Sequence, residues 1–99
     1  MRRIKVAELK EIEITDVMYA LSDPARLEIV KTLADGQPRT CGELNANRPK
    51  SSMSHHFKIL RDSGLIETRV EGKEHFNELR MKDLERRFPG LLKGILNAL

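Results

Sequence analysis

Ninety-nine residues, a third of them charged, carry one cysteine and a net charge of +3, which fits one small domain that buries only about 60–70% of its unfolded surface. No apolar run reaches the ~18 residues of a membrane span, the opening MRRIKVAELK has no signal-peptide core, and Cys41 alone excludes an internal disulfide, so a cytoplasmic protein with no membrane partner is expected. The charge is unevenly spread: residues 1–47 hold seven Lys/Arg against eight Asp/Glu, whereas residues 48–73 hold six against three, an excess of the kind that phosphate contacts draw on.

Ile4, Val6, Leu9, Ile12, Ile14, Val17, Met18 and Leu21 fall partly at helical spacing and predict a helix over at least residues 15–21. Asp23 and Pro24 then form an N-cap and first-turn pair, and Leu27, Val30 and Leu33 supply a buried stripe until Asp35 and Gly36 close a helix over 24–34. Thr40 and Glu43 have the spacing of a capping box, so a short helix starts near Cys41 and runs to about Ala46 with Leu44 turned inward.

Lys50 and Ser51 open a longer helix that Gly64 stops. Along SSMSHHFKILRDSGL, at about 100° per residue, Met53, Phe57 and Leu60 share one side with His56 at its edge. Ser51, His55, Lys58 and Asp62 face the other way, and Ser54 lies at the flank. Hydroxyls, an imidazole and an ammonium bond phosphates and base edges in a major groove. A solvated surface helix also has a polar outer face, so the neighbouring elements decide between the two readings.

After Gly64 the period changes from helical to alternating. Ile66, Thr68 and Val70 share a face, Glu71-Gly72 makes a turn, and residues 74–79 return as a second strand. This hairpin carries Arg69, Gly72 and Lys73, which suits a loop beside a phosphate backbone as well as an ordinary charged hairpin. From Met81 the chain is helical again, with Pro89-Gly90 predicting a kink or two abutting helices. Its leucines fit a helical dimer seam, shared with the N-terminal helix, better than burial within one chain.

The order is that of a winged helix-turn-helix: a mainly α, α+β single domain over 1–99, with the helix-turn-helix at 41–63, a wing hairpin at 66–79 and a dimerisation helix at 81–99. The segments ALSDPARLEIVKTLADG, CGEL, SSMSHHFKILRDSGLIETRVEGKEHFNEL and DLERRFPGLL resemble the ArsR/SmtB winged-helix transcriptional repressors over most of the chain. The resemblance implies a homodimeric repressor that places its second helix in the major groove of an imperfect palindrome and its wing along the flanking backbone. It implies groove-facing roles for Ser51, Ser54 and His55, and a phosphate or base contact for Lys58, with Lys50 beside them at the helix start. Arg69, Gly72 and Lys73 match the wing. His56, bordering the buried stripe, is read as support for the helix rather than as a base contact.

Many members of that family sense metals through a Cys-x-Cys pair on the short helix or through Asp/His ligands on the C-terminal helix. Here the first position reads Cys41-Gly42-Glu43, no histidine follows His75, and the adjacent His55 and His56 cannot converge, so no metal and no cofactor is expected. An intermonomer metal site through Cys41 is the alternative. Cys41 is also a candidate redox site, since the first turn of a helix favours a thiolate; the competing reading is a small residue packing the helix-turn-helix. An organic effector between the terminal helices is a further option that the sequence does not choose. No Ser/His/Asp arrangement or glycine-rich phosphate loop points to an enzyme. A protein-binding winged helix should show an apolar outer face, whereas this one has only Ile59 at its edge, which favours duplex DNA as the partner.

Overall fold

In the computed structural model, which describes residues 2–99, Met1 lies outside the part of the expected 1–99 domain that can be described. Asp23 starts the second helix as the sequence predicts. Its Oδ2 accepts from the backbone N–H groups of Ala25 (2.9 Å) and Arg26 (3.2 Å), a cap of the kind that contributes about 1 kcal/mol. Pro24 takes the first-turn position, where an N–H has no partner to lose. The first two helices are α1 (Ile14–Ala20) and α2 (Pro24–Leu33).

The capping box is present in full. Thr40 Oγ1 accepts from the Glu43 N–H (3.1 Å), and Glu43 Oε1 accepts from the Thr40 N–H (2.9 Å). It opens α3 (Cys41–Leu44), which stops two residues short of the expected Ala46. The cause is local: Ala46 and Asn47 adopt left-handed φ values of 49° and 67°, which an α-helix cannot continue through. The tight turn they make delivers the chain to α4 (Lys50–Asp62).

Gly64 ends α4 with φ +87°, and a Cβ there would collide with the side chain of Ile12. Glycine is therefore required twice over, by conformation and by space. Strands β3 (Ile66–Glu71) and β4 (Glu74–Leu79) then pair antiparallel from Ile66↔Leu79 to Glu71↔Glu74. The turn falls one residue later than expected, on Gly72 and Lys73, with Gly72 at φ +62° in the first central position, where a tight hairpin turn takes glycine. The sheet also exceeds the expected hairpin. Strand β1 (Arg2–Arg3) adds to β3 and β2 (Arg39–Thr40) adds to β4, giving the order β1-β3-β4-β2. Two-residue strands have no alternation for a sequence pattern to reveal.

The helix expected over 81–99 is two helices, α5 (Met81–Arg87) and α6 (Leu91–Asn97), divided at Pro89-Gly90. Glu85 secures the break by accepting from the N–H groups of Gly90 (3.0 Å) and Lys93 (3.3 Å). Buried Arg80 fastens the N-terminal arm to the same region, donating to the Ala7 carbonyl (2.8 Å) and to Asp83 (3.2 Å).

One apolar core joins these elements, with Val17, Ile29, Val30, Leu33, Met53, Leu60, Leu65, Ile66 and Leu84 all buried. The stripe predicted for α4 (Met53, Phe57, Leu60) lies in it, so burial decides which side of this helix faces inward. Left outside are Ile14, Met18 and Tyr19 of α1, 47%, 51% and 60% exposed, and Leu99.

Candidate nucleic-acid interface

Burying Met53, Phe57 and Leu60 leaves Lys50, Ser51, Ser54, His55 and Lys58 exposed on α4. Ser54 Oγ donates back to the Lys50 carbonyl (3.0 Å) and Ser52 Oγ to the Pro49 carbonyl (3.0 Å). Both hydroxyls still offer lone pairs outward. Lys58 Nζ lies 2.8 Å from Asp62 Oδ2, one turn on, in a pair about two-thirds exposed at both ends. Such pairs are worth about 0.3–0.5 kcal/mol, so a phosphate can draw the ammonium away at small cost.

The hairpin tip is exposed at Gly72 and Lys73. Arg69 lies further down β3, half-buried, with a guanidinium nitrogen 3.8 Å from Glu78 on β4. Between the start of α3, the first half of α4 and the start of β4 runs a cleft of about 420 Å³, lined among others by Lys50, Ser54, Lys73, Cys41 and His75. The fold thus brings Lys50 and Ser54 of α4 and Lys73 of the hairpin to one cleft. Ser51, His55 and Lys58 lie on the exposed face of the same helix, and Arg69 stands apart along the strand. Thr40, Gly42, Asn45 and His75 also line the cleft. No sequence pattern singles them out for it; the basic hairpin tip and the capping box, each visible in sequence, are the elements that bring them together.

Cys41 is half-buried, and its Sγ accepts from the Asn77 amide at 3.3 Å. Asn77 is fully buried; the same amide reaches the Arg39 carbonyl (3.3 Å), and its oxygen accepts from Thr68 Oγ1 (2.7 Å) on the neighbouring strand. The cysteine thereby belongs to a polar network that joins β2, β3, β4 and α3. Among the described residues, no group of three or more His, Cys, Asp or Glu side chains could hold a metal ion. No helix among them is long and apolar enough to cross a membrane.

His56 is half-buried at the edge of the apolar stripe, its Nδ1 3.1 Å from Arg26 Nη1 of α2. Asp23 stands 3.9 Å from the same nitrogen. Partial burial pushes the Asp23 carboxyl up, but the N–H bonds from Arg26 and Ala25, together with the charge of Arg26, hold it below its usual value. At the other end of α2, Arg39 clasps Asp35 through two hydrogen bonds of 2.8 and 2.7 Å. With the Gln37 N–H they hold the Asp35 carboxyl far below the usual carboxylate range. Glu43 is lowered by the Thr40 N–H and hydroxyl of its capping box.

Comparison with known proteins matches residues 21–69 to a helix-turn-helix domain family. An uncharacterized HTH-type transcriptional regulator of Bacillus subtilis (strain 168), YceK, is 38% identical over 82 residues, 80% of this chain and 82% of that protein. An arsenical resistance operon repressor of Staphylococcus xylosus is 35% identical over 74 residues, 74% of this chain and 71% of its own. Among solved structures, the homodimeric winged helix-turn-helix DNA-binding domain of Mb0332 from Mycobacterium bovis, described as a possible ArsR-family transcriptional regulator, superimposes with a TM-score of 0.68 at 26% identity, covering 85% of this chain and 78% of that one.

Proposed function

This chain belongs to the ArsR/SmtB family of winged helix-turn-helix transcriptional regulators, which bind DNA and are not enzymes, and from that premise we propose that it is a homodimeric repressor of a palindromic operator. In this reading residues 41–63 form the helix-turn-helix of a single domain and α4 enters the major groove, where Ser51, Ser54 and His55 meet base edges. Lys50 and Lys58 meet phosphate or base, and the wing at 66–79 lays Arg69, Gly72 and Lys73 along the flanking backbone.

The observation that carries the reading is the joint exposure of Lys50, Ser51, Ser54, His55 and Lys58 on one face of α4, beside a cleft that Lys73 closes from the hairpin. Ile59, the apolar residue at the edge of that face, is half-buried, which removes the patch that a protein-binding helix would display. The exposed Ile14 and Met18 of α1, with α5 and α6 over residues 81–99, supply the seam for a second copy of the chain. The homodimeric Mb0332 domain supports that assembly. Two α4 helices related by a dyad read half-sites about 34 Å apart, one turn of duplex. Selection from random duplexes by the purified chain, at stated salt, should enrich an imperfect palindrome with that spacing. Failure to enrich any sequence would refute the proposal.

A further inference from the structure

Arg26 is 5% exposed on α2, and a cation so placed must have its hydrogen-bond donors met. Its Nε donates to the Ala20 carbonyl at 2.7 Å and its Nη2 to the Tyr19 carbonyl at 3.1 Å. Both are carbonyls of the last turn of α1; that of Tyr19 also accepts from the N–H (3.1 Å) and hydroxyl (2.6 Å) of Ser22, so Arg26 adds a side-chain donor to a helix end that is already capped. The guanidinium carbon also lies 5.2 Å from the centre of the Tyr19 ring, over its face. The remaining contact is with α4, through Nη1 and His56 Nδ1 at 3.1 Å.

Arginine has no acceptor, so a hydrogen bond at that distance requires Nδ1 of His56 as the acceptor, the tautomer that carries its ring proton on Nε2. The charged groups facing this nitrogen are Arg26 and the Asp23 carboxylate of α2. Asp23 Oδ2 is already engaged by the N–H groups of Ala25 and Arg26. From α1 comes the Tyr19 ring stacked on the guanidinium, and on α4 itself the His55 ring lies 6.2 Å away. One side chain thus joins the end of α1, the start of α2 and the middle of α4. The apolar stripe of α4 is held by contacts without direction, whereas a planar guanidinium imposes an angle as well as a distance.

We propose that Arg26 and His56 are positioning residues for DNA binding: their hydrogen bond sets the axial position and roll of α4 against α1, the helix that carries the exposed apolar face assigned to the second copy. Neither residue touches DNA. The inference rests on the DNA-binding reading above, and it accounts for two adjacent histidines with different work, His55 facing the groove and His56 facing the clamp.

The test uses the full chain and the operator found by selection. His56→Leu fills similar space without an acceptor, and His56→Asn returns an amide oxygen near the place of Nδ1. H56L should retain its helical circular dichroism and self-association while operator affinity falls about tenfold for each misplaced helix, about a hundredfold for a dimer. H56N should recover most of the loss. Wild-type affinity in H56L, or H56N as weak as H56L, would overturn the proposal.

Arg26→Lys cannot serve α1 and His56 together, so R26K/H56L should bind no more weakly than the weaker single variant. Additive losses would mean that His56 acts on DNA directly and would also overturn it. A further measurement needs no substitution. Nitrogen NMR of the imidazoles in the DNA-free wild type should find His56 protonated at Nε2, with Nδ1 accepting, and a proton on Nδ1 would refute the clamp. A wild type that binds no duplex defeats the DNA reading itself, whereas wild-type binding with indifferent variants defeats this inference alone.

Discussion

Lys58→Ala tests whether the outer face of α4 meets phosphate, and the structure makes the expected size specific. The ammonium is held by Asp62 at 2.8 Å in an exposed pair, so removing it should cost the fold less than about 0.5 kcal/mol and leave thermal unfolding almost unchanged. On DNA the effect should be larger and of a different kind. Each phosphate neutralised contributes about 0.9 to the slope of log affinity against log salt. A dimer in which both copies of Lys58 reach phosphate should therefore lose about 1.8 from that slope. Asp62→Asn works in the opposite sense, freeing the ammonium and removing a carboxylate from beside the backbone, so affinity should rise at low salt. The assay is operator anisotropy over a salt series for wild type, K58A and D62N. A K58A slope equal to that of wild type would remove Lys58 from the phosphate contacts, and an unchanged D62N affinity would show that the pair is never broken on binding.

Gly64→Ala should destabilise by about 2–4 kcal/mol, since it combines a left-handed φ, about 1–2 kcal/mol for an L-residue, with a Cβ driven into buried Ile12; equal melting temperatures would refute the requirement. Asp35, Asp23 and Glu43 all have lowered pKa values when folded, so each contributes stability that is fully present above its unfolded value and is lost as pH falls through the folded one. Denaturant midpoints should therefore decline from about pH 4 downward, and Asp35→Asn should flatten the most acidic part of that decline; an undiminished acid slope in D35N would contradict the clasp with Arg39. Ile14→Glu with Met18→Glu should yield monomers in sedimentation and abolish operator binding at concentrations where wild type saturates, and persistent dimers would move the seam elsewhere. Cys41→Ser keeps an acceptor for the Asn77 amide, so operator binding should survive and resist peroxide if oxidation acts there; an identical peroxide response in both proteins would exclude Cys41 as a redox site.

Local chemistry made most of the helices legible. Asp23-Pro24, the Thr40/Glu43 box and Gly64 each act within a few residues of themselves, so their caps and stops follow from the sequence. The outer face of α4 was legible for a related reason: its burial stripe has the 3.6-residue period, and the polar positions are what the stripe leaves. Position Ala46 escaped because a left-handed alanine carries no side-chain signature, and β1 and β2 escaped because their pairing is decided by where the hairpin lies, many residues away. Arg26 escaped for a third reason. In sequence it is one more charge on α2, and only the fold places its guanidinium between two carbonyls of α1 and a histidine of α4.

The same long-range polar contacts explain how a domain with so small a core can hold α4 and the hairpin in register. Apolar burial fixes that α4 and the sheet pack together, but it is tolerant of small slides. Directional bonds remove that tolerance at two places. Arg26 ties α4 to α1, and Asn77, fully buried, ties Thr68 of β3 to the Arg39 carbonyl and to Cys41 at the head of α3. A buried amide left without partners costs about 1–3 kcal/mol, so the hairpin cannot shift by a residue without incurring that penalty. Cys41 therefore occupies the point where hairpin, short helix and cleft meet.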